Sequence, residues 1–185
     1  MTGPIELPRE PLRGRGVALR AWREDDVPAI AAMSRDPDTV RWTSVPEGFG
    51  EEDARIWLAL QPGRLRAGDG ATFAITEPPA DRPLGSIGVR VLHGRGIAEV
   101  GYDVAAAARG RGLATAALEV VSRWALETLP IARIQLTTHE DNAASQRVAE
   151  KAGYSREALL RAWADQRGKR VDLVMWSLLP GDPIP

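Results

Sequence analysis

The segment Arg109-Gly110-Arg111-Gly112-Leu113-Ala114-Thr115 sets two glycines and two arginines between two different periodicities. Residues 99–104 before it read as a strand, and Leu113, Ala117, Val120, Val121 and Trp124 after it recur at helical spacing. Gly110 and Gly112 open conformations closed to residues with a Cβ, and they leave room for a ligand against the main chain. The N–H groups of the first helical turn have no intrahelical partner, and the helix dipole adds about half a positive charge there. Such a turn suits a phosphate or pyrophosphate. A glycine-rich strand-to-helix connection that binds nothing is the structural alternative.

Spacing separates three nucleotide-binding readings of this turn. A P-loop needs Lys-Ser or Lys-Thr after its last glycine, whereas Gly112 is followed by Leu113 and Ala114. A dinucleotide fold needs a third glycine where Thr115 stands, and an acid about twenty residues on that this chain lacks. The third pattern, Arg/Gln-x-x-Gly-x-Gly/Ala, is met by Arg109, Gly112 and Ala114. At this point the sequence resembles the GNAT superfamily of N-acetyltransferases, in which the turn holds the pyrophosphate of acetyl-CoA. Asn142-x-x-Ser145 and Lys151-Ala-Gly-Tyr154 stand at the expected distance downstream and sharpen the resemblance.

The resemblance implies roles residue by residue. Tyr102, Asp103 and Val104 would pair with the pantetheine arm, mainly through their backbone, while Arg109, Gly110, Arg111, Gly112, Leu113, Ala114 and Thr115 would hold the pyrophosphate. Asn142 would contact pantetheine, with Ser145 near the thioester sulfur. Read from the residues alone, Asn142 and Ser145 are also a helix N-cap and its third position, and Tyr102 and Val104 are also core. The family often has proline where Ala106 stands.

Acyl transfer needs an unprotonated amine, a polarised carbonyl and a proton for the departing thiolate. Many superfamily members place a tyrosine acid seven residues after the asparagine and a glutamate base five before it. Those positions here are Ala149 and Thr137, so that assignment does not transfer. Ser145 remains, by the resemblance, as proton donor or thiolate hydrogen-bond donor. Glu99, at the start of the strand whose far end holds the cofactor, is the candidate base, with a strand-edge salt bridge as its structural alternative; Asp103 and Glu140 rank behind it. An α-amine, with a pKa of about 7.7–8.0 against about 10.4 for lysine, demands less of any base.

The elements that would position these groups follow in order. Strands are expected over residues 17–22, 71–76, 85–92, 97–104 and 134–138, and a final hairpin over 154–164 and 171–179. Helices are expected from Glu24 to about Arg35, from Glu51 to about Leu60, after Gly112 up to the break at Pro130, and from Asn142 to Lys151-Ala152, where Gly153 supplies the stop. Asp36-Pro37-Asp38 ends the first helix, the segment 39–50 has turn chemistry, and Pro62-Gly63 interrupts the second helix. The fold class is α/β (α+β). The resemblance makes it the GNAT fold, a mixed, mostly antiparallel central sheet of about seven strands flanked by about four helices, with a splayed parallel strand pair holding the cofactor.

Length fits one domain: a flexible arm at 1–16, an N-acetyltransferase domain at 17–180 and a tail at 181–185. The arm contains no apolar stretch of signal-peptide or membrane-span length. With 24 Lys plus Arg against 25 Asp plus Glu, net charge is −1, which gives no general attraction to nucleic acid or anionic membrane. There is no Cys, which excludes disulfides and thiolate nucleophiles and agrees with a cytoplasmic protein, and His93 and His139 make a poor metal inventory.

The segments 36–42, 51–57, 100–102 and 172–179 look like the branch typified by ribosomal-protein N-terminal acetyltransferases. The resemblance therefore implies acetyl-CoA as cosubstrate, no metal, and a primary amine as acceptor, a protein or peptide α-amine among the candidates; a homodimer is compatible with it. Trp42, Phe49 and Trp57 lie in the acceptor-side region as pocket-lining candidates or buried structure. A small-molecule amine (antibiotic, polyamine or amino acid) is the alternative acceptor, and a non-catalytic acyl-CoA-binding regulatory module is the alternative function.

Overall fold

The computed structural model describes residues 3–185 and centres on an eight-stranded sheet. In chain order the strands are β1 (Leu12–Gly14), β2 (Val17–Arg20), β3 (Gly70–Thr76), β4 (Gly85–Leu92), β5 (Ile97–Val104), β6 (Arg133–His139), β7 (Ser155–Gln166) and β8 (Lys169–Leu178). Their order across the sheet is β1-β2-β3-β4-β5-β6-β8-β7. Neighbours joined by short connections run antiparallel, as expected for hairpins. β5 and β6 are parallel, because the whole glycine turn and a helix lie between them. They pair only at Ile97↔Arg133, Ala98↔Ile134 and Glu99↔Gln135, so from Val100 onward β5 parts from β6.

Five α-helices accompany the sheet: α1 (Val27–Ser34), α2 (Pro37–Trp42), α3 (Glu51–Ala67), α4 (Leu113–Thr128) and α5 (Ala143–Lys151). The expected counts of about seven strands and four helices thus become eight and five. α2 forms where a stop was expected, because the Asp36 side chain accepts hydrogen bonds from the Asp38 and Thr39 N–H groups and Pro37 sits at the tolerated first position. α3 runs through Pro62. It is held there from the side: the Gln61 amide donates to the Trp57 carbonyl at 2.7 Å and accepts from the Thr72 hydroxyl on β3 at 2.5 Å. Tertiary packing decides here over local propensity.

The main core lies between the sheet and α4, where Phe73 and Trp124 meet edge to face with centroids 5.2 Å apart. Alternation along β6 shows the division: Ile134, Leu136 and Thr138 are buried, while Gln135, Thr137 and His139 take the other face. A second, smaller core gathers Val27, Ile30, Ala31 and Ala54 with Trp22, Phe49 and Trp57 packed against it.

Both ends of the chain pack onto the domain. Over its described residues, the segment expected as a flexible arm buries Ile5, whose N–H donates to the Leu65 carbonyl at 2.9 Å, and adds β1 to the sheet edge. Its spaced apolar residues, Leu7 and Leu12 included, supply the reason. Met1 and Thr2 lie outside the described residues. Ile184 in the tail packs against the main core. Among the described residues, no helix is long and apolar enough to cross a membrane.

Candidate active site

The parting of β5 from β6 opens a cleft of about 380 Å³ whose walls include Tyr102, Asp103 and Val104, the glycine turn, and one face of α5. Gly110 and Gly112 hold φ values of +74° and +79°, the left-handed region that disfavours other residues. A Cβ built on either meets nothing within 4 Å, so the space over the turn is open. Gly112 is the N-cap of α4, and no side chain caps that helix start or places an acid in its first turn. The N–H groups of Leu113, Ala114 and Thr115 are thus left for a ligand, and all three residues line the cleft.

The two arginines of the turn are turned aside. The Arg109 guanidinium donates to the Val104 carbonyl at 3.1 Å and to Asp38 at 2.9 Å, and it also bonds Asp36, the cap of α2. Burial works to raise the Asp36 carboxyl, but the hydrogen bonds from Arg109 and the α2 backbone hold it below the ordinary carboxylate range. Arg111 bonds Glu77. Asp103 faces the cleft, where burial pushes its carboxyl up to about 7 against the pull of Arg109.

At the other wall, the Asn142 side chain caps α5 by accepting from the Ser145 N–H at 3.0 Å. The Ser145 hydroxyl lies 2.9 Å from the Tyr102 hydroxyl. The expectation gave Tyr102 a backbone role, and the structure adds a side-chain one. Burial pushes the Tyr102 phenol up to about 12, so it keeps its proton at neutral pH. Ala149, where a catalytic tyrosine was sought, is fully buried. Arg147 and Lys151 also line this cleft; Arg147 was not singled out from the sequence, and Lys151 only as part of the Lys151-Ala-Gly-Tyr154 motif, without a cleft role. Their four-residue spacing on the Ala144, Val148 face of α5 was the available signal.

A second cleft, of about 860 Å³, lies beside the first between α2, the loop after it, β6 and the β7–β8 hairpin. Thr137 and His139 reach it from β6, Arg90 from β4, and Gln166 and Leu173 from the hairpin. Trp42 and Thr43 line both clefts and form their shared wall. Of the three aromatic candidates, only Trp42 stands here; Phe49 and Trp57 line neither cleft and pack on the smaller core, where Trp57 meets Trp22 edge to face at 5.9 Å. Glu99 bonds Arg90 and accepts from the Gln135 amide at 3.2 Å, which matches its salt-bridge alternative. Glu140 is exposed.

Comparison with known proteins identifies the family and the fold. Residues 17–155 match the family described as the acetyltransferase (GNAT) domain. An uncharacterised N-acetyltransferase, p20 of Bacillus licheniformis, is 23% identical over 171 residues, covering 92% of this chain and 96% of that one. The solved structure of Mycobacterium smegmatis RimJ in complex with CoA-disulfide superposes with a TM-score of 0.78 at 23% identity, over 91% of this chain and 85% of that one. A ribosomal-protein-S5-alanine acetyltransferase from Vibrio fischeri gives a TM-score of 0.81 at 17% identity, over 95% and 99% of the two chains. At these identities the two structural likenesses are likenesses of fold.

Proposed function

The chain belongs to the GNAT family of acetyltransferases and is an acyltransferase, and from that premise we propose that it moves the acetyl group of acetyl-CoA to a primary amine, a peptide or protein α-amine above all. The observation that carries the cosubstrate is the cleft between the parted strands, closed at one end by an uncapped helix start behind Gly110 and Gly112. A pyrophosphate seats on the Leu113, Ala114 and Thr115 N–H groups, and the pantetheine arm runs between β5 and β6 towards Ser145. Arg147 and Lys151 add positive charge along the same wall.

In this reading the acceptor enters through the second cleft, whose volume of about 860 Å³ suits the first residues of a peptide. The amine reaches the thioester beside Trp42. Its nitrogen attacks the carbonyl carbon, the C–S bond breaks, and Ser145, backed by Tyr102, donates towards the thiolate. Two ribosomal-protein acetyltransferases among the fold neighbours favour a protein α-amine. The reaction belongs in the cytoplasm, where acetyl-CoA is available.

Thiol release from acetyl-CoA tests the reading, with a panel of peptides bearing free α-amines, the same peptides blocked at the α-amine but carrying lysine, polyamines, amino acids and aminoglycosides. Turnover highest with free α-amines supports it. Turnover only with small amines moves the acceptor to that class, and saturable acetyl-CoA binding without turnover of any amine leaves a binding module.

A further inference from the structure

The second cleft contains one side chain suited to take a proton near neutral pH that no role above uses. His139 is on the face of β6 opposite α4, two residues beyond Thr137, and lines the second cleft. Its strand has already lost its pairing to β5, whose last register pair with β6 is Glu99↔Gln135. The imidazole packs on the shared wall, with its centroid 5.3 Å from the Trp42 ring at 61°. Its main chain is tied to the cofactor side, since the Gln146 amide donates to the His139 carbonyl at 3.3 Å, and Asn142 and Ser145 follow within one turn of chain. The competing carboxylate candidate, Glu99, is bonded to Arg90.

We propose that His139 is the general base that deprotonates the acceptor amine, a role that rests on the amine-acetylating reading above. One ammonium proton passes to the imidazole and on to solvent, and the freed nitrogen pair attacks the thioester carbon. As the C–N bond forms and the C–S bond breaks, the second nitrogen proton ends on the thiolate sulfur through Ser145. The groups around the ring favour this use. From α2, the Arg41 guanidinium lies over Trp42 at 4.3 Å; Asp141 follows β6; Arg90 comes from β4; Glu47, Asp165 and Arg167 border the same cleft. Burial, helped by Arg41 and opposed by Asp141, holds the imidazole below its ordinary pKa, so at pH 7 it is neutral and ready to accept.

The test is the pH dependence of kcat/KM with the best amine of the panel, for wild type and His139→Gln, alongside calorimetry of acetyl-CoA binding. We expect His139→Gln to lose about 10²- to 10⁴-fold in kcat/KM at pH 7, to recover as pH rises towards the pKa of the amine, and to keep the acetyl-CoA Kd within a few-fold. Free imidazole should restore part of the rate of His139→Ala. A variant with the wild-type rate and an unchanged acid limb overturns the assignment while leaving the acetyltransferase reading intact; wild type inert with every amine overturns both. The chain has only two histidines, so the His139 ring is also open to NMR titration in the wild type. A ring pKa that coincides with the kinetic acid limb supports the role, and one that differs from it by a unit or more overturns it, whether or not the variants fold.

Discussion

The Tyr102 phenol and the Ser145 hydroxyl lie 2.9 Å apart, and the phenol is also 3.2 Å from the Ser145 carbonyl oxygen. A phenol has one proton to give. With that proton on the carbonyl, the Ser145 hydroxyl donates to the Tyr102 oxygen; on the proposed reading, negative charge growing on the thioester sulfur would draw the Ser145 hydroxyl to it, and Tyr102 would donate to the serine instead. The pair stores a proton that the raised phenol does not release to solvent.

Ser145→Ala should therefore lower kcat by about 10²-fold, the low end for acid–base groups because thiolate leaves readily, with little change in the KM for acetyl-CoA. Tyr102→Phe keeps the ring in place and should cost less, since serine can still donate. Steady-state kinetics at saturating acceptor check both, and a Ser145→Ala enzyme with wild-type kcat removes serine from the proton path.

Gly112→Glu should abolish acetyl-CoA binding, because it places a side chain and a negative charge in the space over the helix start. Gly112→Ala separates the causes: it carries only the left-handed backbone penalty of about 1–2 kcal/mol and leaves the charge unchanged. Calorimetry with circular dichroism on both variants gives the comparison. Equal affinity in wild type and Gly112→Glu would displace the pyrophosphate from this turn.

Arg109 is held by Asp36 and Asp38 where a phosphate ligand was expected. If the proposed pyrophosphate also reaches Arg109, carboxylates and pyrophosphate compete for one guanidinium. Asp36→Asn keeps the α2 cap, since asparagine caps as well as aspartate, but removes the charge. Acetyl-CoA should bind that variant several-fold more tightly. Weaker or unchanged binding would assign Arg109 to holding α2 in place and not to the cofactor.

The buried Arg20 guanidinium meets Asp26 in two bonds of 2.7 and 2.9 Å and is steadied by Asp81 at 2.7 Å. Asp26→Ala removes the two-bond partner of the buried cation, leaves Asp81 as its carboxylate, and should cost about 3 kcal/mol in urea unfolding. The double variant Arg20→Met/Asp26→Ala should recover much of the loss.

Glu157 accepts from Arg133 at both carboxylate oxygens and from the Ser177 hydroxyl, which together hold its pKa down to about 2. A depressed carboxylate stabilises the fold above its unfolded pKa, about 4.3, and that stabilisation is lost as pH falls towards 2. Wild type should be more stable than Glu157→Gln at pH 6, with the gap closing below pH 4. Because the pair is partly exposed, added salt should shrink the gap. A gap that keeps its pH 6 size at pH 2.5 would assign the effect to packing.

What was legible in the chain was what local rules decide. β4 and β5 match their expected ranges because Ile87, Val89 and Val91 alternate between turn residues, and α5 begins at Asn142 because its side chain caps the helix. α2 was misread because Asp36-Pro37 is at once a good stop and a good start, and only the direction of the Asp36 side chain decides between them. Partnerships across long separations left no local trace. Arg109 with Asp36, Tyr102 with Ser145, and Trp42 with His139 each join segments that only the sheet brings together. Phe49 and Trp57 looked like Trp42 in the sequence, and the difference is that they pack, partly buried, on the smaller core of α1 and α3.

Trp42 and Thr43, as a party wall between two rooms, constrain inheritance as well as chemistry. On the proposed reading, a substitution there that suits a new acceptor would also reshape the cleft assigned to the cosubstrate. Ala164, Gln166, Val171 and Leu173 line the second cleft and not the first. If the second cleft takes the acceptor as proposed, the β7–β8 hairpin can vary without touching the first cleft, and it is where a search for altered specificity should begin.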